Sequence, residues 1–295
     1  MSVGSRVALI ATFFATACAV QADVRASLLQ EYSWTSSKAR FGGFSGIEMD
    51  DDGSGFMALS DRGTLWRGQI KRDHLGRIID IDATLVSALK TSRGVDVIGE
   101  TGDSEGLAIA PNGTIYVSFE GIARVARFTA PDAAADRIAR PDAFKRMQEN
   151  SSLEALAIDE DGALYTLPER SGALHLPFPV WRYKNGAWTQ PFSIPRDGNW
   201  LPVGADFGPD GNLYLLQRDF RGYLGFRSRI TRYSISGDQI SAGERILETG
   251  AGRYDNFEGI SVWRDETGSI RLTLISDNNF TFYLRSGIAE FRLAD

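Results

Sequence analysis

The chain has 295 residues, 43% of them hydrophobic and 24% charged, with a net charge of −6. Such a composition belongs to a folded globular protein and excludes a disordered one. The acidic balance, with no local basic patch, excludes a nucleic-acid backbone as partner.

Residues 1–22 read as a secretory signal peptide. Arg6 gives a short positive start, Val7 to Val20 is an apolar run broken only by Thr12 and Thr16, and Val20-Gln21-Ala22 resembles a small-residue cleavage site. The run is shorter than the ~20 residues that span a bilayer, so no membrane span is expected. Cys18 is the one cysteine and falls inside this segment. The mature chain, 23–295, therefore has no disulfide and depends on its core, which a chain of this size can bury. Lipid modification of Cys18 is disfavoured by Ala15-Thr16-Ala17, which lacks the usual large aliphatic residue. The expectation is a periplasmic or secreted protein, folded as a monomer.

Val24–Trp34 is an apolar stretch outside any repeat. The repeat itself begins at Ser45-Gly46-Ile47, runs through a turn at Gly53 and ends at Asp61. The clearest copy is Glu105-Gly106-Leu107 to Gly113 and Glu120; further copies run from Glu154 to Glu169, from Val203 to Asp219 and from Glu258 to Asp277. The turn glycines Gly53, Gly113, Gly162, Gly211 and Gly268 are 60, 49, 49 and 57 residues apart. A strand-built unit of roughly 50 residues is the signature of a propeller blade.

The expected fold is thus all-β: a β-propeller of five four-stranded blades over 44–89, 103–147, 151–194, 201–248 and 255–293, with a sixth, divergent blade as the alternative count. Within these, 141–147 is expected as a short helix with proline in its first turn. The outer hairpin of blade 4 is expected as Ile230–Ser234, then Gln239–Ile246. Blade 5 offers three strands, and the N-terminal segment supplies the fourth, closing the ring so that no sheet edge is left open.

This architecture brings two residues per blade to one mouth of the central channel, the start of the first strand and the end of the second. The first set is Ser45, Glu105, Glu154, Val203 and Glu258; the second is Asp61, Glu120, Glu169, Arg218-Asp219 and Asp277. Glu48 and Asp206 are read as near the first set. So many carboxylates raise one another's pKa unless a cation neutralises them, and carboxylate and amide oxygens, with Asn256, Asn278 and Asn279 nearby, suit Ca²⁺. The alternative is that the acids only brace the blades. Arg62, Arg170 and Arg218 follow strand ends and suit bidentate contact with an anion, or ion pairs with the ring acids.

Gly102-Asp103-Ser104-Glu105-Gly106 matches the Gly-x-Ser-x-Gly nucleophile pattern, but it falls at the start of a propeller strand. The two histidines, His74 and His175, are in an outer turn and a loop. A serine triad needs a strand–turn–helix and a histidine partner. Zinc is disfavoured with no mature cysteine and two scattered histidines.

Phe44-Ser45-Gly46-Ile47, Ala58-Leu59-Ser60-Asp61-Arg62-Gly63, Ser104-Glu105-Gly106-Leu107-Ala108, Leu213-Tyr214-Leu215-Leu216-Gln217-Arg218 and Phe257-Glu258-Gly259-Ile260 resemble the bacterial phytase-like family, "esterase-like activity of phytase", over about residues 40–292. The resemblance implies a secreted or periplasmic propeller with ester or phosphoester hydrolysis, and blade logic shared with calcium-dependent propeller phytases and lactonases. Ser45 and Val203 depart from a uniform acid ring, which weighs against a full multi-calcium site.

Two functions follow as expectations. One is a metal-dependent hydrolase of a small ester or phosphoester at the acidic mouth. Its metal ligands would be Glu105, Glu154, Glu258, Asp277 and Asp61, its general base Glu169 or Glu120, and its anion-binding groups Arg62, Arg170 and Arg218. The other is a non-catalytic ligand- or partner-binding propeller with a structural calcium.

Overall fold

The computed structural model describes residues 25–281 and 284–294; the signal-peptide segment lies outside them. Five four-stranded antiparallel sheets make five blades. The innermost strands are Phe44–Met49, Ser104–Ile109, Leu153–Ile158, Leu201–Phe207 and Asn256–Arg264. In blades 1 to 4 the following strands pair outward in chain order. Blade 5 adds Ile270–Asp277 and Gly287–Leu293, and its fourth strand is Ala26–Ser33, paired from Ala26↔Leu293 to Ser33↔Gly287. The N-terminal closure and the count of five are as the repeat implies.

The second strands explain why the apolar runs are unbroken. Side chains alternate between the two faces of a strand, and in a propeller both faces meet another blade. Phe56 and Ala58 join the core shared with blade 5, while Met57 and Leu59 join the core shared with blade 2. Tyr214 and Leu216 likewise face blade 5, whereas Leu213 and Leu215 face blade 3. The buried core is therefore divided into separate lenses between successive blades. Each first turn is closed by a bond from its glycine N–H, such as Gly113 to the Ala110 carbonyl at 2.8 Å. The five glycines have φ between 67° and 84°, a region that side chains with a Cβ avoid.

The outer parts of the blades differ in detail from the expectation. The outer strand of blade 4 is Glu244–Glu248, and Ile235–Ser236 pairs with Gln239–Ile240 as a separate ribbon. The outer strand of blade 2 is only Asp136–Arg137, and the helix expected over 141–147 is a single 3₁₀ turn, Phe144–Arg146. Outer strands have one free edge, so their ends are fixed by loops more than by core packing.

Trp34 follows the closing strand and anchors it. Its ring is buried, stacked on Phe44 at 4.7 Å, and meets Phe41 and Phe56 edge-on at 4.8 and 5.3 Å. Phe44 and Phe56 belong to blade 1, so this one side chain ties the closing strand of blade 5 across the seam of the ring. Trp34→Ala is expected to cost about 3–5 kcal/mol. Leu28→Ala, on the exposed side of the same strand, should cost under about 0.5 kcal/mol. Urea unfolding of both variants checks the contrast.

Candidate functional site

Each innermost strand carries a one-residue irregularity at the same place. The ladder passes from Phe44 to Gly46, Ser104 to Leu107, Leu153 to Leu156, Pro202 to Gly204 and Phe257 to Gly259, always with one residue more than the partner strand. A bulge of this kind re-aims a side chain. The stretches it displaces contain Ser45, Glu105, Glu154, Val203 and Glu258, the set the repeat singles out. The next residue is glycine in four blades, and for a reason. A Cβ on Gly106 would stand 2.6 Å from the Glu154 carbonyl oxygen, and one on Gly204 2.4 Å from that of Glu258. Inner strands can converge this closely at the mouth only without that carbon.

The second strands complete the mouth. Ser60, Phe119, Pro168, Gln217 and Ser276 occupy equivalent positions opposite the first strands, so the next residues, Asp61, Glu120, Glu169, Arg218 and Asp277, are equivalent too. Four blades place an acid there and blade 4 places a cation. Asp219, the neighbouring candidate, instead lies 3.4 Å from Arg221 and 3.6 Å from Arg227.

Arg218 donates to Glu169 at 3.0 Å, to Asn256 at 3.1 Å and to Glu258. Asn256 also donates to Glu258 at 2.7 Å. Arg218 is thus the internal counter-charge of the ring rather than a free anion receptor, and Glu258 is held by it. Arg170, half-exposed, lies 3.3 Å from Glu169. Arg62 stacks on the Phe280 ring at 3.4 Å. Asn278 accepts from the Gly43 and Phe280 N–H groups at 2.9 and 3.1 Å, so its oxygen braces the rim.

Two sets of carboxylates have ligand oxygens within 4.8 Å of one another: Asp103, Glu105 and Glu120, and Glu120, Glu154 and Glu169. Glu120 is common to both. Asp61, Glu258 and Asp277 belong to neither set. Asp103, two residues before Glu105, is a member of the first set that was not among the expected ligands. Burial and the neighbouring acids push Asp61 up to about 6, Glu120 to about 7 and Asp277 to about 8. Glu105 and Glu154 are raised well above the usual range, chiefly by burial. For Glu105 the nearby carboxylates, led by Glu154, add to the rise, whereas for Glu154 the positive charge of Arg218 opposes it. Hard oxygen donors with no sulfur or imidazole fit a cation of the calcium type, and these buried acidic sets could hold a metal ion.

Ser104 is no nucleophile. Its hydroxyl is buried, donates to the Ser60 carbonyl at 2.7 Å and accepts from the Gly63 N–H at 3.1 Å, bracing blade 1 against blade 2.

Glu48 and Asp206 do not join this mouth. Three residues further along their strands, they line a cavity of about 1240 Å³ at the opposite end of the channel. Ser261 lines the same cavity, and its hydroxyl accepts from the Met49 N–H at 3.0 Å. Asp206 also accepts from the Val262 N–H at 2.6 Å.

The fold and this mouth define a β-propeller with an acidic channel entrance. The sequence model of one family, Phytase-like, described as "Esterase-like activity of phytase", matches residues 39–280. The chain belongs to that family. No curated protein matches it. Among solved structures, an α-L-arabinofuranosidase from Podospora anserina in complex with cellotriose is similar at 12% identity and a TM-score of 0.53, covering 88% of this chain and 96% of that one. Virginiamycin B lyase from Staphylococcus aureus is 16% identical at a TM-score of 0.47, covering 91% and 99%. A calcium-binding protein, regucalcin, from Agrobacterium tumefaciens is 10% identical at 0.49, covering 85% and 91%. At such identities a likeness speaks for fold alone.

Burial raises Asp206 to about 7 and Glu48 well above its usual range. The folded state therefore binds their protons more tightly than the unfolded chain does. Their contribution to stability is complete below about pH 4 and is lost as pH rises through about 7. Asp206→Asn, which needs no proton, should flatten this part of the profile and unfold at a higher temperature than wild type at pH 8.5. Melting curves of wild type and variant from pH 5 to 8.5, compared as their difference so that the pH response of the other mouth cancels, check this.

Proposed function

We propose that the acidic mouth is a calcium-dependent hydrolytic site for an ester or phosphoester. The observation that carries the reading is the pair of three-carboxylate sets sharing Glu120, set beside a single buried guanidinium. Membership of a family described by esterase-like activity supports hydrolysis as the reaction class.

Asp103, Glu105, Glu120, Glu154 and Glu169 would hold the cation. A calcium ion held by these residues would supply Lewis acidity toward a substrate oxygen or a water. The chain's own groups divide the remaining work. Glu120, pushed up to about 7 by burial and its acidic neighbours when no cation is bound, would be the ligand shared by both sets and must lose its proton for the cation to bind. Glu169 receives Arg218 and Arg170 and serves to orient them. Arg218 offsets part of the ring's negative charge, allowing an anionic or polar ester to approach. Arg170 and Arg62, on the rim, are placed to hold the anion and the charge that develops on it. Export of the chain, as residues 1–22 suggest, would place the site where calcium is abundant enough for a site of modest affinity.

Calcium should raise the melting temperature by mass action, by roughly 5 °C at about a hundred times its Kd. The gain should be larger at pH 8 than at pH 5, because ligand carboxylates must lose their protons to bind. Glu120→Gln touches both carboxylate sets and should abolish most of the gain, whereas Glu105→Gln touches one and should weaken it. Turnover of chromogenic esters and phosphoesters should require calcium and fall at least about 100-fold in Glu120→Gln. A melting temperature indifferent to calcium and chelator would overturn the metal site. A calcium response with no turnover across the panel would favour the binding propeller with a structural calcium.

A further inference from the structure

The rim of the acidic mouth is apolar where the strand-connecting loops of blades 2, 3 and 4 rise from it. Ile122 is two residues beyond Glu120, Leu174 and Leu176 are five and seven beyond Glu169, and Phe220, Tyr223 and Leu224 are two, five and six beyond Arg218. All six are exposed; Tyr223 is 98% accessible, Leu174 69% and Phe220 63%. A chain advances at most ~3.6 Å per residue, so Ile122 and Phe220 begin within about 7 Å of ring residues. The antiparallel order of each blade brings these loops out on the same side as the ring. Among the described residues, Leu75 is the one exposed large apolar side chain in a turn at the opposite mouth.

These side chains are held out by built loops. Arg221 N–H donates to Gly225 at 2.9 Å and Gly252 N–H to Phe226 at 2.9 Å, while Phe220 packs on Phe226 at 4.9 Å. In blade 3, the Ser171 hydroxyl bonds the Leu176 carbonyl at 2.7 Å. Exposed apolar side chains grouped on one face mark an interaction site, and here they continue directly into a polar one.

We propose that the substrate of the acidic mouth is an amphiphile: an ester or phosphoester whose polar head enters the carboxylate ring while its alkyl or aryl part lies on the rim of blades 2, 3 and 4. This rests on the hydrolytic reading of the mouth and specifies its substrate class. A bound cation in the ring, with Arg170 and Arg62 at its rim, would offer positive charge to the head. Tyr223, Leu224, Phe220 and Leu174 offer the surface that a small, fully polar polyphosphate would leave in water.

Two measurements on the calcium-loaded protein test this separately from the chemistry. In the first, binding of octylphosphonate and methylphosphonate, neither of them hydrolysable, is compared by calorimetry below any micelle concentration. The octyl compound should bind at least about ten-fold more tightly, since each methylene removed from water adds to affinity. The double variant Tyr223→Ser/Leu174→Ser, altered only at exposed side chains, should lose most of that advantage and keep its affinity for methylphosphonate. In the second, p-nitrophenyl octanoate should be cleaved with at least about ten-fold higher kcat/KM than the acetate after correction for intrinsic reactivity, with the double variant raising KM for the octanoate alone. Equal affinity for the two phosphonates, or a preference unchanged in the double variant, overturns the amphiphile proposal even if esters are turned over. Chain-length-dependent binding without calcium-dependent turnover upholds the apolar rim and overturns the hydrolytic reading instead.

Discussion

The dominant constraint in this molecule is the crowding of buried carboxylates at one end of the channel. Like charges held together away from water repel and lose hydration at once. The rises at Asp61, Glu120 and Asp277, and the stronger ones at Glu105 and Glu154, express that penalty. One guanidinium, Arg218, is built in against it. The rest of the opposing free energy comes from elsewhere in the fold: lens-shaped apolar cores between blades and a ring closed by the N-terminal strand with Trp34 at the seam. A closed ring cannot relieve the repulsion by spreading one edge, so closure keeps the carboxylates together.

Much of this is legible in the chain because one short motif does several jobs. The glycine of the first turn is needed for its positive φ, so it recurs at blade spacing. The residue after the bulge is glycine where inner strands must touch, and the bulged residue itself is an acid in blades 2, 3 and 5. Those needs are local, and each leaves a fixed letter in the sequence. What was harder to read depended on register or on packing between elements. At Arg218-Asp219 a shift of one residue decides which side chain faces the channel, and the apolar-run pattern does not distinguish them. Pairing Pro202 with Gln217 settles it for Arg218. The outer strand of blade 4, expected over 239–246 and found at Glu244–Glu248, differs for the related reason that half-exposed strands carry weak alternation.

The candidate site divides along the same line. Glu105, Glu120, Glu154 and Glu169 could be found from the repeat, and they do come together. Asp103 has no such signal, since Gly43, Ser152, Leu201 and Asn256 stand at its place in the other copies. That Glu258 is taken by Arg218 and Asn256 could not be found either, because it depends on contacts between separate stretches of blades 4 and 5. The apolar loops have no motif. They stand out only when exposure is known, since Leu174, Phe220 and Tyr223 look in sequence like any other core residues.

Glu48 and Asp206 make the channel asymmetric in a way that bears on the charged mouth. The inner strands carry acids at two depths three residues apart, Glu105, Glu154 and Glu258 at the mouth and Glu48 and Asp206, from the other two blades, below it. At the deeper level there are two carboxyl groups, with a serine hydroxyl and backbone N–H groups around them. Protonation of one acid there removes the repulsion, and the remaining hydrogen bonds suffice. At the mouth, eight carboxylates from four blades meet a single buried arginine. Proton uptake alone would have to neutralise most of them, at a pH well below that at which their cluster is fully ionised. A multivalent cation removes several charges at once and is coordinated by the same oxygens. One fold, repeating one strand, thus provides one end that a proton can satisfy and another whose carboxylates could hold a metal ion.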